Sequence, residues 1–203
     1  MYPMPPVGEE VVDMKLPGSL IADTEDLDSA AHRVTDELTG VRNLPLRQMK
    51  TFSDPCRVNG MELDWINNYY NVRLTRVITV VFFAMVRLDE RLVECALRKN
   101  ASWVPLDEVK RLALDHNNIL IAGIDHMTAM FDQGLIPFEC LPHRFTLRQL
   151  QNLFEAALGK EMDNRNFRKK MLAQELVVAT GEYECNVPHK QAMYYMFKRK
   201  TTK

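Results

Sequence analysis

The 203-residue chain is 46% hydrophobic, an ordinary globular share, and its length holds one large or two modest domains. Its formal net charge of -1 hides an asymmetry: residues 141–203 hold 12 Lys+Arg against 6 Asp+Glu, and residues 1–140 hold 14 against 21, which suggests a nucleic-acid module attached to a body that does not touch nucleic acid. Cys56, Cys95, Cys140 and Cys185 share no close spacing, the chain lacks the basic start and apolar run of a signal peptide, and the longest apolar run, Val77–Val86, is too short to span a bilayer; a zinc site, a disulfide framework and a membrane partner are excluded, and a cytoplasmic location with reduced thiols is expected.

In chain order, residues 1–8 are rich in Pro and Met and read as irregular, and Val11–Leu16 reads as a short strand. A helix capped near Thr24–Asp26 ends at Gly40. Residues 59–72, rich in Asn and Tyr, read as a loop. Arg76–Val86 is the strongest strand, and its continuous apolar character predicts burial on both faces. Ala101–Leu106 leads to a helix near Asp107–Leu112, and a longer helix covers Asn117–Gln133. Trp103 reads as core. The stretch 134–144, with Gly134, Pro137 and Pro142, reads as a linker.

Beyond it, Thr146 with Gln149 three residues later forms a capping-box signature. Leu147, Leu150, Phe154, Ala157 and Leu158 follow at three- and four-residue steps, one apolar face, and Gly159 suits the left-handed residue that ends a helix. Asp163 caps a second helix, with Met162 and Phe167 at the spacing of a hydrophobic staple. Two β-prone runs, Glu175–Gly181 and Ala192–Arg199, flank a stretch with Asn and Pro and read as a long hairpin. Two helices and a hairpin make a winged helix-turn-helix, whose second helix docks in DNA.

On that second helix, Phe167 and Met171 lie within about 40° of each other and define the buried side. Arg165, Asn166 and Lys169 fall opposite, with Arg168 and Lys170 on the flanks. Arg and Lys meet phosphates and guanine edges, and Asn pairs bidentately with adenine. A solvated charged face is the bland alternative. Lys190, with His189, falls in the expected wing, near phosphates.

The N-terminal half holds a second pattern. Gly18, Glu25, Arg33, Glu37 and Gly40 resemble the Nudix box, the loop–helix–loop that holds a divalent metal against a diphosphate. Gly18 stands one residue too far from Glu25, Val34 replaces the first glutamate of the core and Leu38 replaces one of the adjacent pair. Positions 34, 37 and 38 share a helix face. A box with Glu37 and two aliphatic neighbours there is a poor site for a hard dication, so no metal and no catalysis are expected. Glu37 then serves as a structural or ligand-contacting acid, and Arg33 as its partner or a loop anchor.

With both halves in view, the chain resembles the bacterial Nudix-related transcriptional regulators. The resemblance rests on Phe145–Leu172, the altered box, Thr51-Phe52-Ser53-Asp54-Pro55 with Arg57, and Leu114-Asp115-His116. It implies an α+β fold: a Nudix-like α/β/α sandwich with a mixed sheet over residues 1–136, a linker at 137–144 and a winged helix-turn-helix over 145–203. Only seventeen residues precede Gly18, so either the sheet lacks its first strand or the chain starts inside the domain. The implied function is a non-enzymatic, cofactor-free repressor, a homodimer on double-stranded DNA, whose Nudix-like domain senses ADP-ribose or a sugar. Val and Leu in the box resemble the sugar-responsive branch. Arg33, Glu37, Arg57 and His116 are the effector-contacting candidates; a surface role for Arg57 and a helix-start role for His116 are the alternatives. A Nudix hydrolase of a nucleoside diphosphate derivative and a protein-interaction winged helix remain the competing functions.

Overall fold

The computed structural model describes residues 14–133, 135, 138–185, 187, 188 and 190–198. It divides into two compact units, the first from Met14 to Ala84 with Leu88–Ile124, the second comprising Met85–Arg87 and the described residues from Asp125 onward.

In the first unit the chain order is α1 (Leu27–Thr39), β1 (Arg47–Phe52), α2 (Gly60–Tyr70), β2 (Thr79–Phe83), α3 (Glu90–Arg98) and α4 (His116–Asp132), with the division between units inside α4. The box helix α1 starts where Asp26 accepts the Ser29 amide at 2.7 Å. It ends at Gly40, whose φ of 68° is left-handed. A Cβ there would also meet the Cys95 carbonyl at 2.9 Å, so glycine both ends α1 and lets α3 pack against it. The unit's core is slight: Ala30, Val41, Ile66, Leu92, Ala96, Leu112, Ala113 and Ile119 are buried.

Several expectations need correction. The expected loop 59–72 is largely helical: α2 is opened by a reciprocal box between Asn59 and Glu62, and closed by Asn71 at φ 52°. Burying Ile66 and Glu62 outweighs the poor helix propensity of Asn and Tyr. Helix α3, capped by Asp89, had no counterpart in the sequence reading. The helix expected near Asp107–Leu112 reduces to a 3-10 turn at Leu106–Glu108, because the Leu112 amide and Lys110 carbonyl bond the Asn117 side chain instead. Trp103 is 44% exposed rather than core, although its indole N–H reaches the Leu92 carbonyl at 3.3 Å.

Strand β2 is shorter than expected and half-buried along its whole length. Among the described residues it pairs only with β1, antiparallel, from Arg47↔Phe83 to Phe52↔Thr79. With β1 on one side, β2 is an edge strand of a two-stranded ribbon rather than the expected central strand, and its five residues stay half-buried. The expected strand at Val11–Leu16 falls largely outside the described residues, and Met14–Leu16 is irregular.

The second unit follows the sequence closely. Strand β3 (Phe145–Thr146), helix α5 (Leu147–Leu158), helix α6 (Asn164–Ala173) and strands β4 (Val177–Tyr183) and β5 (Met193–Phe197) form the helix pair and hairpin, with sheet order β3-β5-β4. Phe131, Phe145, Leu147, Leu150, Phe154, Phe167, Met171, Val177 and Tyr195 make its core. Phe154 stands edge-on to both Phe131 and Phe167, at 4.9 and 5.2 Å between centroids, the geometry that favours ring pairs.

Candidate functional sites

Helix α6 is fixed at its start by Asp163, which accepts the Asn166 amide at 2.8 Å. Phe167 and Met171, 5% and 1% exposed, pin one side of it into the core. Arg165, Asn166, Arg168, Lys169 and Lys170 are all exposed. One turn of core contact therefore orients four cations and an amide outward on a helix of fixed rotation. Asn166 and Lys170 also border a shallow cleft of about 290 Å³ between α6, the end of α5 and Phe131–Asp132.

The hairpin beyond α6 is closed by Glu184 and Ala192: the Glu184 amide donates to the Ala192 carbonyl, and the Ala192 amide to the Glu184 carboxylate. An ion pair between Arg144 and Glu182 ties the loop end of β4 to the residue before β3. Lys190 is exposed between the two strands. His189 lies outside the described residues.

In the first unit the four effector candidates fall into two clusters. Arg33 is saturated. Its Nε donates to Glu25 Oε2 at 2.9 Å, its Nη2 to Glu25 Oε1 and the Leu20 carbonyl, and its Nη1 to Glu37 Oε2 at 3.0 Å. Glu25 also accepts the Ala22 amide. The Arg33 guanidinium beside Glu25 holds that carboxyl down at about 2, and the Glu25 carboxylate in turn raises the Arg33 pKa. Arg33 thus fills both roles expected for it, partner of Glu37 and loop anchor. Val34 and Leu38 sit where further carboxylates would be needed. Among the described residues no three His, Cys, Asp or Glu side chains gather to hold a metal ion. The donor set does not fit the divalent ion that an intact box would carry.

The second cluster lies at the end of the β1–β2 ladder. Arg57 donates to both Asp115 oxygens, at 2.9 and 2.7 Å, and to the Thr79 hydroxyl. Its guanidinium also lies 5.8 Å from the centre of the Phe52 ring. Both side chains of the ion pair are buried, 7% and 8% exposed; Arg57 is a buried strut rather than a surface cation. His116 starts α4, and its Nδ1 accepts the Leu16 amide at 2.9 Å. Burial pushes its pKa down against the opposing pull of Asp115. Both clusters converge on residues 14–22, which are tied through Leu16 to His116, Leu20 to Arg33, Ala22 to Glu25 and Met14 to Ala113.

The sequence reading missed Gln151 and Glu155 on α5. Gln151 is 1% exposed on the apolar stripe. Its Nε2 bridges Glu155 Oε1 and the Met162 carbonyl, both at 2.8 Å, and Glu155 Oε1 accepts the Met162 amide at 2.9 Å. The available signal was an amide at the step between Leu147 and Phe154 where the stripe calls for an apolar residue.

In chain order the architecture is an α+β unit followed by a winged helix-turn-helix. Residues 137–197 match the NrtR DNA-binding winged helix domain. Over 171 residues the chain is 25% identical to the ADPR responsive transcriptional repressor NtrR of Acinetobacter baylyi, covering 82% of this chain and 63% of that protein; it thus spans less than two thirds of that relative's length. The crystal structure of Shewanella oneidensis NrtR complexed with a 27mer DNA superposes with a TM-score of 0.63 at 22% identity, over 90% of this chain and 78% of that one. A MutT/nudix family protein from Enterococcus faecalis superposes with a TM-score of 0.57 at 19% identity, over 91% and 74%.

Proposed function

We infer that the protein is a transcriptional repressor. Helix α6 reads DNA in the major groove, and the Nudix-like unit senses an ADP-ribose-type metabolite without hydrolysing it. The observation that carries this reading is α6 itself: Phe167 and Met171 are buried while Arg165, Asn166, Arg168, Lys169 and Lys170 are exposed, in a domain that matches the NrtR winged helix. Cations for phosphates and a mixed Arg/Asn face for base edges are what groove reading requires. A protein-interaction module would have no need of so cationic a face.

The A. baylyi relative is named as responding to ADPR, and ADP-ribose is the effector we assign here, ahead of a simple sugar. Arg33, Glu37, Arg57 and His116 remain the candidates near it, with Arg33 and Arg57 acting chiefly by holding the loop and helix ends in place. Loss of the box carboxylates at Val34 and Leu38 supports sensing rather than hydrolysis. By chain order we assign residues 1–136 to the effector domain, 137–144 to the linker and 145–203 to the DNA-binding domain, although the end of α4 from Asp125 packs with the second unit through Phe131, and we place the protein in the cytoplasm. No helix among the described residues is long and apolar enough to cross a membrane. A homodimer is the working assembly, since one winged helix makes few phosphate contacts and a two-fold pair fits half-sites about one helical turn apart.

The test uses a duplex recovered by the full-length protein from a randomised pool, read by fluorescence anisotropy with and without ADP-ribose. Sequence-selective binding that ADP-ribose weakens is expected. Equal affinity for recovered and random duplexes would overturn the DNA reading, and indifference to ADP-ribose would overturn the effector assignment.

A further inference from the structure

We propose that Gln151 and Glu155 are positioning residues for DNA discrimination: together they clamp both peptide groups of Met162 and so set the angle at which α6 leaves the turn. The proposal rests on the reading of α6 as the DNA-contacting helix. Met162 is the residue immediately before the Asp163 cap. Its N–H goes to Glu155 Oε1 and its C=O receives Gln151 Nε2, while Gln151 Nε2 also donates to the same Glu155 oxygen. The three bonds form a closed ring. Gln151 and Glu155 stand four apart on α5, so the ring ties the rotation of α5 directly to the residue that precedes the α6 cap.

The energetics single this cluster out. Gln151 Oε1 is buried and has no hydrogen-bond partner among the described residues. A buried unpaired amide oxygen is costly. Leu or Met would fill the position without that cost and would extend the apolar stripe of Leu147, Leu150 and Phe154. What only an amide supplies is the two-way donor to the Met162 carbonyl and the Glu155 carboxylate. The Gln151 bond is the main cause that holds the Glu155 carboxyl below its usual range, with the Met162 amide second. Phe167 and Met171 fix how α6 rolls; the ring at Met162 fixes where it begins. Base contacts need both, whereas phosphate contacts from flexible Lys side chains tolerate a small tilt.

The experiment compares full-length Gln151→Met, Glu155→Ala and Glu155→Gln with the parent. Each is read for melting temperature, for hydrogen exchange at the Met162 amide, and for affinity toward the pool-recovered duplex and a random duplex. Glu155→Gln keeps an acceptor for both donors and is expected to behave as the parent. Glu155→Ala is expected to lose protection at Met162, and both Gln151→Met and Glu155→Ala to bind the recovered duplex about tenfold more weakly, with random-duplex affinity within about twofold, at temperatures well below melting. A lower melting temperature with an unchanged ratio of the two affinities would reduce the ring to a structural contact and overturn the proposal. Full protection at Met162 in Glu155→Ala would do the same without reference to DNA. Loss of protection in Glu155→Ala beside a parent that does not discriminate between duplexes would instead locate the failure in the DNA reading.

Discussion

Removing one member of the Arg57–Asp115 pair tests whether Arg57 is a strut or an effector ligand. Both side chains are under a tenth exposed, and Asp115 takes two of the guanidinium's bonds at 2.7–2.9 Å. Asp115→Ala leaves that guanidinium with the Thr79 hydroxyl and the Phe52 ring. Stranding one partner of a buried pair costs about 3–5 kcal/mol, whereas replacing both by apolar groups is often neutral. At about 4 °C per kcal/mol for a unit near a hundred residues, the single variant should melt roughly 12–20 °C lower. The double variant Arg57→Met/Asp115→Leu should recover most of that loss, giving a coupling well above the few tenths of a kcal/mol typical of independent sites. Calorimetry on the full-length parent, both singles and the double measures the cycle. Adding ADP-ribose to each sample reads binding from the same melting curves, since a ligand specific to the folded state raises apparent stability by mass action. A loss below about 1 kcal/mol for Asp115→Ala, or an Arg57→Met variant that keeps its melting temperature and loses only the ADP-ribose shift, would refute the strut and make Arg57 a ligand group.

Three other outcomes are expected. Arg165→Ala or Asn166→Ala should cost roughly 1–3 kcal/mol on the recovered duplex and relax its preference at one base pair, whereas Lys170→Ala should weaken all duplexes alike and lower the salt slope by about 1; anisotropy across several salt concentrations separates the two, and parental binding by Arg165→Ala and Lys169→Ala would remove α6 as the reader. Stability should fall on acidification in two windows set by lowered folded-state values. The share from neutral His116 is complete above its ordinary 6.5 and drains below it, and that from Glu25 is complete above 4.5 and is lost as pH falls toward about 2; a denaturation series with Glu25→Gln and His116→Gln assigns each window. Incubation with ADP-ribose and Mg²⁺ should show no turnover approaching about 1 s⁻¹, the range that would restore the hydrolase alternative.

The second unit was legible because its signals are local. Thr146 with Gln149, Gly159, Asp163 and the Met162–Phe167 spacing each act within one turn, and α5 and α6 form at those positions. The roll of α6 followed, since Phe167 and Met171 have few other places to go. The first unit was harder. Its α2 carries Asn59 and Glu62 at capping-box spacing, a signal hidden by composition. Helix α3 has Leu92 and Ala96 four apart beneath an otherwise charged surface, and only packing against α1 shows that stripe to be a core face. The limited burial of β2 depends on what packs against its faces, which no residue of β2 encodes. Among site residues, Arg33 was readable as a loop anchor from its place in the box. The burial of Arg57 was not, because Asp115 lies 58 residues away in sequence.

The box residues that persist and those that are replaced divide along a physical line. Glu25, Arg33 and Gly40 all have structural partners: Glu25 holds Ala22 and Arg33, Arg33 holds Leu20 and Glu37, and Gly40 admits the Cys95 carbonyl at a distance no Cβ allows. Each works on the loop and helix ends, and none needs a metal to do so. Val34 and Leu38, by contrast, occupy the face from which additional carboxylates would have to reach a dication, and Leu38 is 37% exposed there. Two more carboxylates on that face, beside Glu37 and without a cation, would repel one another. Aliphatic replacements remove that repulsion and leave the anchoring bonds intact. With Val34 and Leu38 in place of further carboxylates, the bonds of Glu25 and Arg33 still hold residues 20–25 against α1.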